Sequence, residues 1–171
     1  MPTLTFLHGM ESSPLGTKSQ FIKKHYPDCL IPELPPDIHL RISIIKKLFK
    51  QPVRIVGSSL GGLSALLFAM SDPALVESMI LISPAVGFFD HTVFNDNDKT
   101  LIKQTYIPEK IPCTVMIAKQ DDIIPQADIE AMIKRSPDPS QIKTVYRNDD
   151  HPQNRSLDFL LNEISAMMSA N

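Results

Sequence analysis

The chain has 171 residues, enough for one domain with a substantial hydrophobic core, and we expect a single domain over residues 1–171. Its formal net charge is -2, without a basic cluster beyond two lysine pairs on predicted helices, so no nucleic-acid partner is expected. No stretch approaches the ~20 apolar residues of a membrane span, and the first residues do not have the pattern of a signal peptide. We therefore expect a cytoplasmic protein without a membrane partner.

Short apolar runs alternate along the chain with amphipathic segments. The apolar runs predict six strands, over residues 3–7, 29–31, 53–56, 78–82, 113–118 and 142–146. The segments between them predict helices over residues 17–26, 37–49, 59–70, 126–135 and 153–168. The strands are continuously apolar, as in a parallel sheet that is covered by helices on both faces. We predict a doubly wound α/β fold with a six-stranded parallel sheet of local order 2-1-3-4-5-6.

Two cysteines are present in the sequence. Cys29 and Cys113 are far apart, and each lies in or beside an apolar, strand-like run. We predict buried free thiols in a reducing compartment. Neither cysteine lies in a motif typical of a nucleophile.

The most informative motif is the Gly-Ser-Ser-Leu-Gly-Gly run at residues 57–62. It lies between a predicted strand and a predicted helix, which is the context of the nucleophile elbow G-x-S-x-G. Ser59 is in register, because Gly57 and Gly61 lie two residues to either side of it. Ser58 has no glycines at those positions. The glycines leave room for the strained turn, which points the first N–H groups of the helix at whatever Ser59 attacks.

A phosphate-binding turn is the main alternative interpretation of this glycine-rich segment. The P-loop pattern requires Gly-Lys-Ser/Thr, and no lysine lies nearby. The dinucleotide-binding pattern G-x-G-x-x-G is not matched either. The segment therefore favours a nucleophilic serine.

A nucleophilic serine needs a base, and the base needs an acid that orients it. Asp121 follows the predicted strand 113–118, and His151 follows the strand 142–146, so both lie at the sheet edge where ligand sites occur in open α/β sheets. Asp122 is the alternative acid, but it lies one residue further from the strand end. Either aspartate could instead cap the helix that follows. We predict Asp121 as the acid and His151, among five histidines, as the base.

The first predicted strand ends in residues 8–14, which read His-Gly-Met-Glu-Ser-Ser-Pro. Enzymes with a nucleophile elbow take a second oxyanion-hole N–H from such a strand end. Here that donor would be the N–H of Met10, beside the N–H of Leu60. Without Ser59 downstream, the same residues would indicate an ordinary glycine turn.

With these segments in order, the chain resembles the α/β-hydrolase superfamily. More narrowly, it is similar to small bacterial esterase-like proteins with an H-G-x-x-S-S-P opening followed by a lysine, here residues 8–14 and Lys18. The likeness covers nearly the whole chain. It implies a triad of Ser59, Asp121 and His151, and the hydrolysis of an ester or thioester with no cofactor and no metal. Because the two antiparallel strands of larger members are absent, it implies a minimal α/β-hydrolase fold.

The connection between the fourth and fifth predicted strands is longer than one crossover helix needs. Two interpretations stay open for its residues 86–110. It is either a helix with a long surface loop, or a short cap that leans over the site. In the second case Phe88 and Phe89 would form walls of the acyl pocket.

The predicted activity is the hydrolysis of small carboxylic esters through an acyl-enzyme on Ser59. A thioesterase or acyltransferase that acts on a carrier-bound acyl group would use the same residues. A non-catalytic binding module on the same scaffold is the third alternative, although a binder has no need of an intact serine, aspartate and histidine. The expected partner is thus a small-molecule acyl ester or thioester, and the sequence does not specify an oligomeric state.

Overall fold

This computed structural model describes residues 1–87 and 94–170 of the chain. The described part contains five strands and six α-helices. The strands are β1 Thr3–Leu7, β2 Val53–Ser58, β3 Val76–Ile82, β4 Cys113–Ala118 and β5 Ile142–Arg147. The helices are α1 Thr17–His25, α2 Ile38–Leu48, α3 Leu60–Ser71, α4 Asp96–Lys103, α5 Gln126–Lys134 and α6 Leu157–Ser169. Three 3-10 turns complete the description, at Pro73–Leu75, Pro139–Gln141 and Asn154–Ser156.

All strand pairs are parallel, and the strands lie side by side in the order β1-β2-β3-β4-β5. Successive residues of a strand point to opposite faces of the sheet, so both faces of the central strands are apolar. Leu4 and Phe6 pack on the face that α1 and α6 cover. Leu7 and Ile55 belong to the larger core on the other face, with α2, α3 and α5. The predicted α/β fold with a parallel sheet and helices on both faces is confirmed.

The prediction of a sixth strand at residues 29–31 is wrong. The segment does lie beside β1, but only Leu30 pairs with it, as an isolated parallel bridge to Thr5. The N–H of Leu30 donates to Leu4 at 2.9 Å, and the N–H of Phe6 donates to Leu30 at 2.8 Å. A parallel ladder would continue with the N–H of residue 32, which is a proline and has none. The sheet therefore has five strands.

The described part of the long connection after β3 contains α4, and several of its apolar side chains are buried in the core. Phe94, Ile102, Ile107 and Ile111 are buried in the cluster of the larger core. The helix begins with a capping box, in which Asn95 and Asp98 exchange hydrogen bonds with each other's backbone N–H. Phe88 and Phe89 lie outside the described residues.

Both cysteines are free and buried, as predicted. Burial raises the pKa of the Cys29 thiol to about 12, because a thiolate would lose its hydration there. Among the helices of the described residues, none is long and apolar enough to cross a bilayer.

Candidate active site

Ser59 lies at the junction of β2 and α3, and its backbone adopts a conformation that few side chains accept. Its φ is 55° and its ψ is -116°, outside the left-handed helical basin. Neighbouring backbone groups hold it there, since its N–H donates to Ile82 and its carbonyl accepts from Leu63 and Ala85. Such strain persists only where the surroundings fix it, and it is typical of functional sites.

Gly57 and Gly61 make this junction sterically possible. A Cβ on Gly57 would lie 2.6 Å from the carbonyl oxygen of Gly61, in the first turn of α3. A Cβ on Gly61 would overlap the carbonyl oxygen of Leu7, at the end of β1. The two glycines therefore allow α3 to start directly against β1 and β2, which lifts Ser59 to the carboxyl edge of the sheet.

Ser59, His151 and Asp121 form a hydrogen-bonded chain at this edge. Nε2 of His151 lies 2.9 Å from Oγ of Ser59, and Nδ1 lies 2.8 Å from Oδ2 of Asp121. A carboxylate can only accept, so Nδ1 carries the ring proton and Nε2 accepts from the serine hydroxyl. The structure thus brings the three residues together in the geometry that a nucleophile, a base and an orienting acid require.

Asp121 is fixed by both of its carboxylate oxygens. Burial alone would raise its pKa, but the hydrogen bonds from His151 and from the backbone outweigh this and lower the pKa below its ordinary value. The backbone donors are the N–H groups of Ile123 and Ile124, each 2.9 Å from Oδ1. The carboxyl group is therefore ionised at neutral pH. The alternative acid, Asp122, is exposed and makes no hydrogen bond to His151.

The loop that carries His151 is organised by Asp149, a residue to which the sequence analysis gave no role. Asp149 is fully buried, and its Oδ2 accepts from the hydroxyl of Ser156 at 2.9 Å. Its Oδ1 accepts from Nε of Arg155 at 3.2 Å and from the N–H of Asp150 at 2.9 Å. These bonds close the turn around the histidine.

Gln153 ties the same loop to the sheet and was also missed. Its φ of 52° and ψ of 38° place it in the left-handed region. Its Nε2 donates to Oγ of Ser83 at 2.8 Å and to the carbonyl of Met116 at 3.0 Å. Ser83 follows β3 and Met116 lies in β4, so the loop is anchored to two neighbouring strands of the sheet. A single sequence carries no signal for these bonds beyond a polar side chain near the predicted base.

The two predicted oxyanion donors are the N–H groups of Met10 and Leu60. Leu60 is the first residue of α3, whose opening N–H groups have no intrahelical acceptor. Met10 follows Gly9, whose Cα hydrogens face the side chain of Ser59, since a Cβ there would lie 3.5 Å from the Cβ of Ser59. Both residues line the same cavity as Ser59.

That cavity has a volume of about 900 Å³ and opens to solvent. Its mouth carries two exposed apolar side chains, Leu15 and Ile123, with exposed fractions of 78% and 48%. Polar groups from residues 11–18 line another part of the wall. No residue of the described range 94–110 lines the cavity. The cavity can therefore hold a ligand with both an apolar and a polar part.

Lys18 links the wall of the cavity to the histidine loop. Its Nζ donates to the carbonyl of Pro152, the residue after His151. Burial lowers the pKa of Lys18 to about 8, although the carboxylates of Asp149 and Asp150 partly oppose the shift. The lysine that the opening motif singled out thus supports the loop of the predicted base.

Within residues 1–87 and 94–170, no group of three His, Cys, Asp or Glu side chains is arranged to hold a metal ion. The hydrogen-bonded chain of Ser59, His151 and Asp121 can support proton transfer and nucleophilic attack.

Comparison with solved structures shows the same fold in several hydrolases. The α/β-hydrolase domain-containing protein 10 from mouse is 17% identical, with a TM-score of 0.77, over 98% of this chain and 90% of that chain. The Est1E protein from Butyrivibrio proteoclasticus, whose structure holds ferulic acid, is 15% identical, with a TM-score of 0.73, over 98% and 88%. A thioesterase domain from the curacin biosynthetic pathway is 12% identical, with a TM-score of 0.71, over 98% and 91%. At these identities the likeness shows the fold.

Comparison with family models gives a match over residues 3–152, a range that includes Ser59, Asp121 and His151. The matched description is that of the uncharacterised protein family UPF0227. Since the match spans most of the sequence, the chain belongs to the UPF0227 family, which here has the α/β-hydrolase fold.

Proposed function

We propose that this protein is a serine hydrolase that cleaves small carboxylic esters through an acyl-enzyme on Ser59. The observation that carries the proposal is the hydrogen-bonded chain from Ser59 through His151 to Asp121. Ser59 is held in a strained backbone conformation at the edge of an open cavity, which supports the same assignment.

In the proposed reaction, Oγ of Ser59 attacks the ester carbonyl carbon while Nε2 of His151 takes the hydroxyl proton. Asp121 stabilises the resulting imidazolium through Nδ1 and keeps the ring in the tautomer that can accept from Ser59. Collapse of the tetrahedral intermediate breaks the ester C–O bond, and His151 gives its proton to the leaving alcohol. Water then attacks the acyl-enzyme with the same base, and Ser59 is regenerated.

The negative charge of the tetrahedral intermediate would be stabilised by the N–H groups of Met10 and Leu60. Donors of this kind are effective because they are already in place before the charge develops. The N-terminal end of α3 adds a positive partial charge at the same point. In other serine hydrolases, loss of one such donor lowers kcat by about 10² to 10³.

The cavity supports a substrate with a small acyl or alcohol group of mixed polarity. Leu15 and Ile123 offer apolar contacts at its mouth, and the hydroxyls of Ser12, Ser13 and Thr17 offer polar ones. The proposed role of residues 86–110 as a cap, with Phe88 and Phe89 as acyl-pocket walls, depends on residues outside the described range. Val86 is buried in the larger core immediately before them.

Thioester cleavage or acyl transfer from a carrier is a second candidate for the same residues. The open mouth of the cavity favours it, because a carrier-bound acyl group could enter without a closed pocket around the leaving group. The two candidates differ in the leaving group and in the acceptor of the acyl group. A panel of matched esters and thioesters, with and without an acceptor alcohol, separates them.

The test of the proposal is the hydrolysis of p-nitrophenyl esters of increasing chain length by the wild type and two serine variants. Ser59→Ala should lower kcat/KM by about a thousandfold or more, as removal of the nucleophile does in other serine hydrolases. Ser78→Ala is the matched control, since the Ser78 hydroxyl is buried in β3 with no hydrogen-bond partner in the described residues. Equal rates in the wild type and in Ser59→Ala would refute the proposed function, and a binding module would show no turnover in any variant.

A further inference from the structure

Arg41 is buried completely and contacts the peptide that carries one of the proposed oxyanion donors. It lies in the first half of α2, and its side chain has an exposed fraction of 0%. Its Nη1 donates to the carbonyl of His8 at 2.7 Å, and its Nη2 donates to the carbonyl of Gly9 at 3.0 Å. Its Nε donates to the carbonyl of Pro35 at 2.6 Å.

The charge of Arg41 is balanced by carbonyl dipoles. Among the described residues, no carboxylate forms an ion pair with it. Burial lowers the pKa of Arg41 to about 10, so the guanidinium still carries its charge at neutral pH. Burying a charge without an ionic partner is costly, and it points to a role at the carbonyls that it binds.

The carbonyl of Gly9 accepts a second hydrogen bond, from His8. The N–H of Leu34 donates to Nε2 of His8 at 3.1 Å, so that nitrogen is unprotonated and Nδ1 carries the proton. Nδ1 lies 2.8 Å from the carbonyl oxygen of Gly9 and donates to it. Burial lowers the pKa of His8 and the charge of Arg41 adds to this effect, although the hydrogen bond to Gly9 partly opposes it. Both lone pairs of the Gly9 oxygen are thereby occupied.

The oxygen of Gly9 and the N–H of Met10 belong to the same peptide unit. Because a peptide bond is planar and trans, fixing the carbonyl oxygen also fixes the direction of the N–H on the opposite side. Donors at the oxygen polarise the unit and make its N–H a stronger donor. A full positive charge one peptide unit away also favours a negative charge in front of that N–H.

We propose that Arg41, assisted by His8, is a positioning residue that orients and polarises the Gly9–Met10 peptide for the oxyanion. This inference rests on the proposed serine hydrolase function. Arg41 and His8 would then stabilise the transition state more than they stabilise the bound substrate. Their loss should therefore lower kcat and leave KM nearly unchanged.

The test compares Arg41→Lys with Arg54→Lys as a matched control. Arg54 is also a buried arginine that donates to two backbone carbonyls, those of Met168 and Ala170, and it also pairs with Glu77 at 2.7 Å. It lies near the amino end of β2, away from Ser59. A lysine cannot reproduce the planar fork of donors in either place. Both variants should lower Tm, but only Arg41→Lys should lower kcat, by about 10- to 100-fold, because the Met10 donor is misplaced and not removed.

A trifluoromethyl ketone separates this role from a general structural one. Ser59 adds to the ketone carbon and passes its proton to His151, which leaves a hemiketal oxyanion bound in place of the transition state. The inhibition constant of the ketone should rise in Arg41→Lys in parallel with the loss of kcat/KM. The constant of the corresponding alcohol, which forms no adduct, should stay within about twofold. Equal changes for ketone and alcohol, or a kcat within about twofold of the wild type, would overturn the proposal.

Two variants of His8 give a second test if Arg41→Lys does not fold. His8→Asn places an amide N–H near the position of Nδ1 and keeps the donor to Gly9. His8→Gln places an amide oxygen near the position of Nε2 and keeps only the acceptor for Leu34. A lower kcat in His8→Gln than in His8→Asn supports the proposal, and equal values contradict it. Ser59→Ala run in parallel shows whether the activity depends on Ser59 at all, which tests the proposed function by itself.

Discussion

Asp121 binds His151 with one carboxylate oxygen and its own loop with the other. Oδ2 lies 2.8 Å from Nδ1 of His151, and Oδ1 accepts from the N–H groups of Ile123 and Ile124 at 2.9 Å. The two oxygens are therefore not interchangeable. The backbone bonds decide which oxygen faces the histidine.

Asp121→Asn should consequently place its amide nitrogen against the ring. The carbamoyl oxygen keeps the bonds to the backbone, and the NH2 group then faces Nδ1 of His151, which carries a proton. The ring avoids this clash by moving the proton to Nε2, and it can no longer accept from Ser59. We expect kcat to fall by about 10⁴, the loss that this substitution causes in a serine protease triad.

The control for this prediction is Asp122→Asn, whose side chain is exposed. Ester hydrolysis measured at saturating substrate should show a far larger loss in kcat for Asp121→Asn than for Asp122→Asn. Small, equal losses in the two variants would mean that the acid is elsewhere in the chain.

Gly61→Ala should destabilise the protein, although alanine is the better helix former. Glycine to alanine inside a helix usually stabilises it by about 1 kcal/mol. Here the new Cβ would overlap the carbonyl oxygen of Leu7, so β1 and α3 would have to separate. Overpacking of this kind costs about 1–3 kcal/mol or more. Thermal unfolding checks the sign, and a Tm above that of the wild type would show that the close approach is wrong.

The contribution of Asp149 to the stability of the protein should depend on pH in the acid range. Burial alone would raise its pKa, but the hydrogen bonds from Ser156 and Arg155 outweigh burial and lower it. A carboxyl group with a lowered folded-state pKa stabilises the fold above its unfolded pKa of about 3.9, and this contribution is lost as pH falls through the folded value.

The Tm difference between the wild type and Asp149→Asn should therefore be constant near neutral pH and shrink below about pH 4. Asp121 is present in both proteins, so its own titration largely cancels from the difference. A difference that does not change between pH 6 and pH 3 would refute the role of the ionised carboxylate.

The contribution of Lys18 to stability should also rise with pH, but in the alkaline range. Its pKa is lowered by burial to about 8, against about 10.4 in an unfolded chain. Between these values the unfolded chain binds more protons than the folded one, so the contribution of Lys18 to stability rises with pH. Below pH 8 the amine of the folded protein is charged, and its burial costs the full free energy of desolvation.

The measurement is the Tm of the wild type relative to that of Lys18→Met from pH 7 to pH 10. Above pH 8 the Tm of the wild type should rise relative to that of Lys18→Met. The absolute difference also contains the lost bond to Pro152, so only its change with pH is informative. A flat difference would mean that Lys18 keeps its proton over the whole range.

The turn at Ser59 could be predicted because the sequence itself encodes its steric requirement. Gly57 and Gly61 flank Ser59 at the two points where strand and helix touch, and the structure shows that contact. The extra strand at residues 29–31 was predicted from apolar content, and that content was correct, since Cys29 is buried there. Pro32 then ends the ladder after one bridge, which apolar content alone does not reveal.

Arg41 shows why the surroundings of the site were harder to predict. The spacing of apolar residues in α2 marks a core face, and position 41 falls on it, between Ile38 and Ile45. An arginine in that register is the available signal, because arginine is almost never fully buried without a partner. Its partners are backbone carbonyls of distant residues, which no pattern of side chains identifies.

Covalent labelling tests whether Ser59 is a nucleophile that His151 activates. The wild type is treated with a fluorophosphonate, in which Ser59 displaces fluoride at phosphorus, and the modified peptide is mapped by mass spectrometry. We expect one adduct, on Ser59, and a labelling rate that falls sharply in His151→Ala and remains near wild type in Ser78→Ala. No adduct, or an adduct on another residue that persists in Ser59→Ala, would contradict it.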